Sequence, residues 1–278
     1  MQGMRVELAG LAARHPAAAA GAPPALQPLT LSIAPGEQVA VIGPSGAGKT
    51  TLLHALACAL KPDAGSLRLD GIDPWSLPVR ELQKLRGRLF LAPQTPPLPP
   101  RQRVITAVLA ARLPGQSLWA SLRSLLYPDD IGAAHAALVR FDLAPKLWDR
   151  VDRLSGGERQ RVGLARGLLA PASLWLVDEP LSALDPARAR QAVDTLIEVA
   201  AERGATLVST FHQVDVATRF ARVLGLRDGL LAFDLPGAQV THERLAELYA
   251  QHEDELTGPA PTPDGVPATP APVIVACR

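Results

Sequence analysis

Apolar and polar positions first alternate along this chain, then run together, then recur at helical spacing. Val6 and Leu8 alternate with polar neighbours, as do Leu29, Leu31 and Ile33, which predicts half-buried strands. Ala34-Pro35-Gly36-Glu37 is a turn signal, and Val39-Ala40-Val41-Ile42 is a continuous apolar run of the kind a fully buried strand shows. Residues 43–48 break that run with glycines, and 49–60 resume with helical spacing before Pro62. The pattern then predicts a short helix over 78–86 and a strand over 89–91. Pro96-Pro97-Leu98-Pro99-Pro100 is extended, because each proline pushes its predecessor away from helix. Residues 104–147 are mostly helical, broken at Pro114-Gly115 and Pro128, and read as an inserted helical subdomain of about residues 95–153. A second buried strand is predicted over 173–177, and a long helix over 187–203 that Asp185 caps and Pro186 opens. A strand over 206–209 and a hairpin at Asp228-Gly229 follow. Strands alternating with helices around buried strands predict an α/β fold with a largely parallel core sheet. Residues 257–278 hold six prolines and almost no apolar bulk, and read as a disordered tail.

Composition narrows the class of function. Lys and Arg number 28 against 27 Asp and Glu, a net charge of +1, which argues against nucleic acid as the main partner while leaving room for a local basic patch. The two cysteines, Cys58 and Cys277, sit in unlike surroundings, which fits reduced thiols; Cys58, within an apolar run, reads as a small buried hydrophobe. The start lacks the apolar core of a signal peptide, and no run reaches the ~18 uninterrupted apolar residues of a membrane span; residues 163–176 come closest, interrupted by Arg166 and Pro171. Work at a membrane would go through a partner.

Two motifs carry chemistry. Gly43-Pro44-Ser45-Gly46-Ala47-Gly48-Lys49-Thr50 fits the P-loop pattern between a buried strand and a helix, the context that pattern requires. Glycines let backbone N–H groups curl around phosphate oxygens, and the following helix offers its positive end. Lys49 would reach the β- and γ-phosphates, and the Thr50 hydroxyl would ligate Mg²⁺, with Thr51 beside it. Leu174-Trp175-Leu176-Val177-Asp178-Glu179 is the complementary Walker B element: an apolar strand delivers Asp178 to the Mg²⁺ shell and Glu179 to the attacking water.

Leu154-Ser155-Gly156-Gly157-Glu158, between those motifs, resembles the signature of the ABC ATPases. Ser155 and the amides of Gly156 and Gly157 open a predicted helix and so form a second anion site. The resemblance, over residues 4–250, implies an α/β P-loop NTPase with a mixed or parallel core sheet, an N-terminal antiparallel β part and an inserted α-helical subdomain. It implies ATP and Mg²⁺ as cofactors and a head-to-tail homodimer with two ATP molecules at its interface. The signature of each subunit would there face the γ-phosphate held by the other.

Further positions match in order. Gln94 stands where the family senses the γ-phosphate through Mg²⁺ and the attacking water. Ser182-Ala183-Leu184-Asp185 resembles the loop that crosses the dimer interface, and His212 the switch histidine. The resemblance thus implies catalytic roles for Glu179, His212 and Gln94, and metal contacts for Thr50, Gln94 and Asp178. It implies nucleotide contacts for residues 43–51, Ser155, Gly156, Gly157, Glu158 and Asp185. His15 occupies the place of the aromatic, usually Tyr, on which the family stacks adenine. His212-Gln213-Val214-Asp215, Ser117-Leu118-Trp119-Ala120-Ser121-Leu122 and Arg222-Val223-Leu224-Gly225-Leu226-Arg227 are similar to the phosphonate-import ATPases. The partners implied are an integral-membrane permease, whose coupling helix enters a groove bordered by residues 95–100, and indirectly a solute-binding protein. The location implied is the cytoplasmic face of the inner membrane. A transporter for another substrate stands as the alternative. A soluble ABC ATPase acting on DNA or ribosomes would carry a long coiled coil or a second cassette, and this chain has neither. A P-loop kinase or GTPase would lack the motif at 154–158.

Overall fold

A computed structural model of the protein describes residues 2–250 apart from residues 16, 17, 19, 20, 22 and 182; the proline-rich tail lies outside the described residues. The chain opens with β1 (Val6–Ala13), β2 (Leu26–Ile33), β3 (Gln38–Ile42) and α1 (Lys49–Leu56). Next come β4 (Ala64–Leu69), α2 (Val79–Arg86), β5 (Leu89–Ala92), and the short helices α3 (Val104–Leu109), α4 (Leu118–Leu126) and α5 (Ile131–Val139). α6 (Gly156–Leu169), β6 (Leu174–Val177), α7 (Pro186–Arg203) and β7 (Thr206–Phe211) follow. The described residues end with α8 (Val214–Ala217), β8 (Arg222–Arg227), β9 (Leu230–Pro236) and α9 (His242–Leu248).

The strands form two sheets. β1 lies between β2 and β4 and pairs antiparallel with both, so the alternating N-terminal pattern makes a small antiparallel sheet. The larger sheet has the order β5-β6-β7-β3-β8-β9, parallel through β8, with β9 added antiparallel by the Asp228-Gly229 hairpin. The α/β class, the mixed core sheet, the antiparallel N-terminal part and the helical insertion between β5 and β6 are therefore all present.

The continuous apolar runs have a simple cause. Side chains alternate across a strand, and both faces of the large sheet are covered. Ala40, Ile42, Trp175 and Val177 enter a core shared with α3, α5, α6 and α7. Val39, Val41, Leu174 and Leu176 enter a second core shared with α1 and the antiparallel sheet. Arg222 ties the two sheets together: its guanidinium grips Asp234 of β9 at 2.7 and 2.6 Å and bonds the Ser32 carbonyl of β2 at 2.9 Å.

One boundary departs from the sequence pattern. The helical spacing continues to residue 60, yet α1 ends at Leu56 and Ala57 caps it. Cys58 takes φ +54°, which ends the helix, and the Arg86 guanidinium secures the Cys58 carbonyl at 2.6 Å. Cys58 is fully buried, as read from its neighbours, and burial pushes its thiol up to about 11; Cys277 lies outside the described residues.

Candidate active site

Parallel pairing brings the chemistry to one edge. Ala92, Val177 and Ser209 stand side by side across β5, β6 and β7, and Val41 of β3 pairs with Thr210. All four strands point the same way, so the residues just past their ends emerge together at the carboxyl edge, where open α/β sheets bind ligands. Those residues are Gln94, Asp178 with Glu179, His212, and the P-loop from Gly43.

Beyond β3 the backbone bends at Gly43, whose φ is +153° and where a Cβ would fall 2.0 Å from the Leu226 carbonyl oxygen. Gly46 takes φ +80°, and where its Cβ would point there is no atom within 4 Å. Its backbone can therefore be approached closely, as a loop that cradles phosphate requires. α1 opens from Gly48 with no side chain capping it and no acid in its first turn, so its first N–H groups and its positive end suit an anion. Lys49 is 4% exposed, and its Nζ donates to the carbonyls of Gly43 at 2.7 Å and Pro44 at 3.1 Å. The cationic amine is thus held at the mouth of the cradle. The donor set fits a polyphosphate.

Asp178 is buried, and the Thr210 hydroxyl donates to its Oδ1 at 2.6 Å. Burial pushes its carboxyl above the ordinary range, against the hydrogen bonds of Thr210 and Thr50 that pull it down. Thr50 and Asp178 are therefore neighbours. No group of three or more His, Cys, Asp or Glu among the described residues could hold a metal by itself. A Mg²⁺ site needs no such group, because Mg²⁺ commonly takes one or two protein oxygens and completes its shell with phosphate and water.

Glu179 is held from three sides. His212 Nε2 lies 2.5 Å from its Oε1, and Gln94 Nε2 donates to its Oε2 at 2.9 Å. Its own N–H donates to Thr210 Oγ1 at 3.0 Å. Burial raises its carboxyl, but the hydrogen bond and charge of His212, with the charge of Lys49, outweigh burial and hold it below the usual range. With Nε2 donating, the buried Nδ1 of His212 has no partner among the described residues. A charged carboxylate at the edge of a phosphate cradle, oriented by an imidazole and an amide, is equipped to take a proton from a bound water.

The second anion site expected from the sequence, at residues 155–157, lies at the first turn of α6. Ser155 caps α6: its Oγ accepts from the N–H of Glu158 at 3.2 Å, and Glu158 Oε2 accepts from the N–H of Ser155 at 2.7 Å. That backbone hydrogen bond holds the Glu158 carboxyl below its ordinary value. Gly157 packs against the Ala183 carbonyl, where a Cβ would sit 2.7 Å away. Asp185 caps α7 through the N–H of Arg188 at 3.1 Å. His15 is exposed on the loop after β1, and Ser182 lies outside the described residues.

The structure thus gathers Lys49, Thr50, Gln94, Asp178, Glu179 and His212, with Thr51 buried behind them in α1. It leaves Ser155–Gly157 on another layer, and it turns Glu158 and Asp185 to capping their own helices. Two residues that sequence reasoning passed over join the site. Thr210 bridges Asp178 and Glu179; a hydroxyl in the fully buried strand β7 is the signal that could have found it. Gln160 of α6 contacts the backbones of Gln94, Glu179 and Ala183, and no sequence signal marks it.

Beside the site, β5, the loop after it and α6 enclose a mostly apolar cavity of about 210 Å³, with Phe90, Pro96, Leu98 and Arg166 in its wall. Burial alone lowers the pKa of Arg166, and it makes no ion pair among the described residues.

Comparison with known proteins supplies the relationship. The family model described as ABC transporter matches residues 26–182. The phosphonates import ATP-binding protein PhnC 2 of Albidiferax ferrireducens is 64% identical over 277 residues, covering 99% of this chain and all of that one. The phosphonates import ATP-binding protein PhnC of a Polaromonas species is also 64% identical over 277 residues, with the same coverage. Among solved structures, the dimeric post-hydrolysis state of the ATP-binding cassette MJ0796 bound to ADP and Pi superposes with a TM-score of 0.70 at 28% identity. It covers 83% of this chain and 98% of that one.

Proposed function

This chain belongs to the ABC transporter family and is an ATPase, and on that premise we propose that it energises uptake of phosphonate, or a related phosphorus oxyanion, through a membrane permease. The identity to phosphonate-import subunits, across nearly the whole of both chains, supports the substrate class. No helix among the described residues is long and apolar enough to cross a membrane, and an ATP-binding subunit of this family works with a membrane partner. The permease docks at the cavity beside β5, where apolar walls and the half-buried Arg166 await a complementary surface. The subunit works at the cytoplasmic face of the inner membrane, and a solute-binding protein delivers the substrate from the other side.

One observation carries the chemistry: Gln94 and His212 converge on the carboxylate of Glu179 at the edge of the P-loop. Lys49 and the P-loop amides bind the phosphates of ATP. Mg²⁺ at Thr50 and Asp178 would neutralise phosphate charge. Glu179 accepts the proton of the attacking water, and His212 and Gln94 orient it. Each chain carries two anion sites on different layers, the P-loop and the first turn of α6. Two chains arranged head to tail satisfy both at once, with Ser155, Gly156 and Gly157 of one protomer closing on the nucleotide of the other. Structural neighbours described as dimeric support that arrangement.

The test is Glu179→Gln. ATP binding survives, turnover falls by about 10² to 10⁴, and size-exclusion chromatography with ATP shows a trapped dimer. Undiminished hydrolysis by that variant rules out Glu179 as the base. ATPase stimulation by phosphonate in vesicles that hold the permease and its binding protein tests the substrate; stimulation only by chemically unrelated solutes rejects it.

A further inference from the structure

Gln160 is a polar side chain only 5% exposed, on the face that α6 turns toward the sheet. Its Nε2 donates to the Glu179 carbonyl at 3.3 Å and reaches the Gln94 carbonyl at 3.5 Å. Its Oε1 accepts from the N–H of Ala183 at 3.0 Å. One amide thus joins the loop after β5 to both ends of the connection between β6 and α7. Glycines farther along α6 permit the approach. A Cβ at Gly163 would stand 2.8 Å from Pro96, and one at Gly167 would stand 2.5 Å from the Phe90 ring, so the helix lies flush on the strand and loop beneath it.

The Glu179 backbone needs that support. Its φ of +44° lies in the left-handed region that L-residues with a Cβ seldom adopt. Such a conformation persists where the surroundings over-determine it. Here Thr210 fixes the peptide N–H of Glu179 and Gln160 fixes its carbonyl, so the residue is clamped on both sides. The two clamps come from different layers. Thr210 belongs to the rigid sheet, whereas Gln160 belongs to the helix whose first turn carries Ser155, Gly156 and Gly157.

We propose that Gln160 is a positioning residue for ATP hydrolysis: it holds Glu179 in its left-handed conformation and passes displacements of α6 to Glu179 and Gln94. Engagement of the α6 first turn by a nucleotide is thereby coupled to the alignment of the base. This rests on Glu179 being that base.

The experiment uses the purified full chain with Gln160→Met, which keeps the length and loses every hydrogen bond. A second variant, Gln160→Glu, keeps an acceptor for Ala183 and loses both donations. ATP affinity is read with a fluorescent nucleotide, turnover by phosphate release, and folding by thermal unfolding. Both variants lose on the order of 10- to 100-fold in kcat while ATP affinity is retained. In a Glu179→Gln background, Gln160→Met lowers the residual turnover no further, because it acts through the residue already removed. Parental kcat in folded Gln160→Met overturns the proposal, and so do losses that multiply in the double variant. Full recovery by Gln160→Glu also overturns it, since that would assign the whole effect to Ala183. If Gln160→Met does not fold, Gln160→Glu carries the same comparison. Failure of the underlying reading has a separate mark: Glu179→Gln alone then turns over normally.

Discussion

Gly163→Ala sets two opposing effects against each other. In a helix interior alanine is favoured over glycine by about 1 kcal/mol, so the substitution in α6 ought to stabilise on local grounds. The tertiary contact says otherwise. A Cβ at 163 would lie 2.8 Å from Cγ and 2.9 Å from Cβ of Pro96, closer than side-chain carbons pack. Pro96 is a rigid ring two residues beyond Gln94 and cannot swing aside as a flexible side chain would. Overpacking of this kind costs about 1–3 kcal/mol, so the net change runs from near zero to a loss of about 2 kcal/mol. Pro96→Gly removes both clashing atoms, and in that background Gly163→Ala gains the full helix term. Urea unfolding of the four proteins reads a coupling energy of about 1–3 kcal/mol from the shifts in midpoint at constant slope. Turnover falls in Gly163→Ala alone, since relief of the clash moves the loop that carries Gln94. A gain of about 1 kcal/mol in both backgrounds, with turnover intact, would refute the contact and the flush packing inferred from it.

Three further outcomes test the frame around the site. Ser155→Ala removes the cap of α6 and costs about 1 kcal/mol in urea unfolding. Glu158 strengthens that cap only as a carboxylate: its folded pKa lies below the ordinary 4.5, so its contribution is present above 4.5 and fades as pH falls through the folded value. The stability gap between the parent and Glu158→Gln therefore narrows on acidification below 4.5, and a widening gap contradicts the capping role. Cys58, fully buried with a thiol near 11, resists alkylation at pH 8 in the native chain and reacts once urea unfolds it, as peptide mapping of that site would report. Ready native labelling at Cys58 would contradict its burial.

What could be read from the sequence was what short-range physics controls. The Gly43–Thr50 loop, the apolar strand ahead of Asp178, the Asp185-Pro186 helix start and the Asp228-Gly229 turn each depend on a few adjacent residues, and each stands where the pattern put it. Longer-range facts could not be read. The end of α1 depends on Cys58 adopting φ +54° beneath Arg86, a partner 28 residues away. Thr210 reaches across 32 residues to Asp178 and Gln160 across 66 to Gln94. Glu158 is a partial case. The spacing from Ser155 to Glu158 is that of a capping box, and this local reading places the carboxylate on its own helix.

The same contrast bears on how the site works. The residues that contact ATP in the proposed mechanism are announced by local motifs, because phosphate and Mg²⁺ demand particular groups at particular spacings. Their alignment is set instead by side chains that no motif requires, drawn from two layers that pack by different means. Thr210 fixes Glu179 from a sheet hydrogen-bonded along its length, and Gln160 fixes it from a helix seated on proline and phenylalanine through glycines. A sheet strand is the harder of the two to displace, since each shift breaks ladder hydrogen bonds. A helix resting on side chains slides at lower cost. In the proposed coupling, an event at the first turn of α6 pulls on the carbonyl of Glu179 while its N–H stays fixed, which turns the residue about its N–Cα bond. Rotation about that bond, which stands at φ +44°, carries Cβ with it and so re-aims the carboxylate.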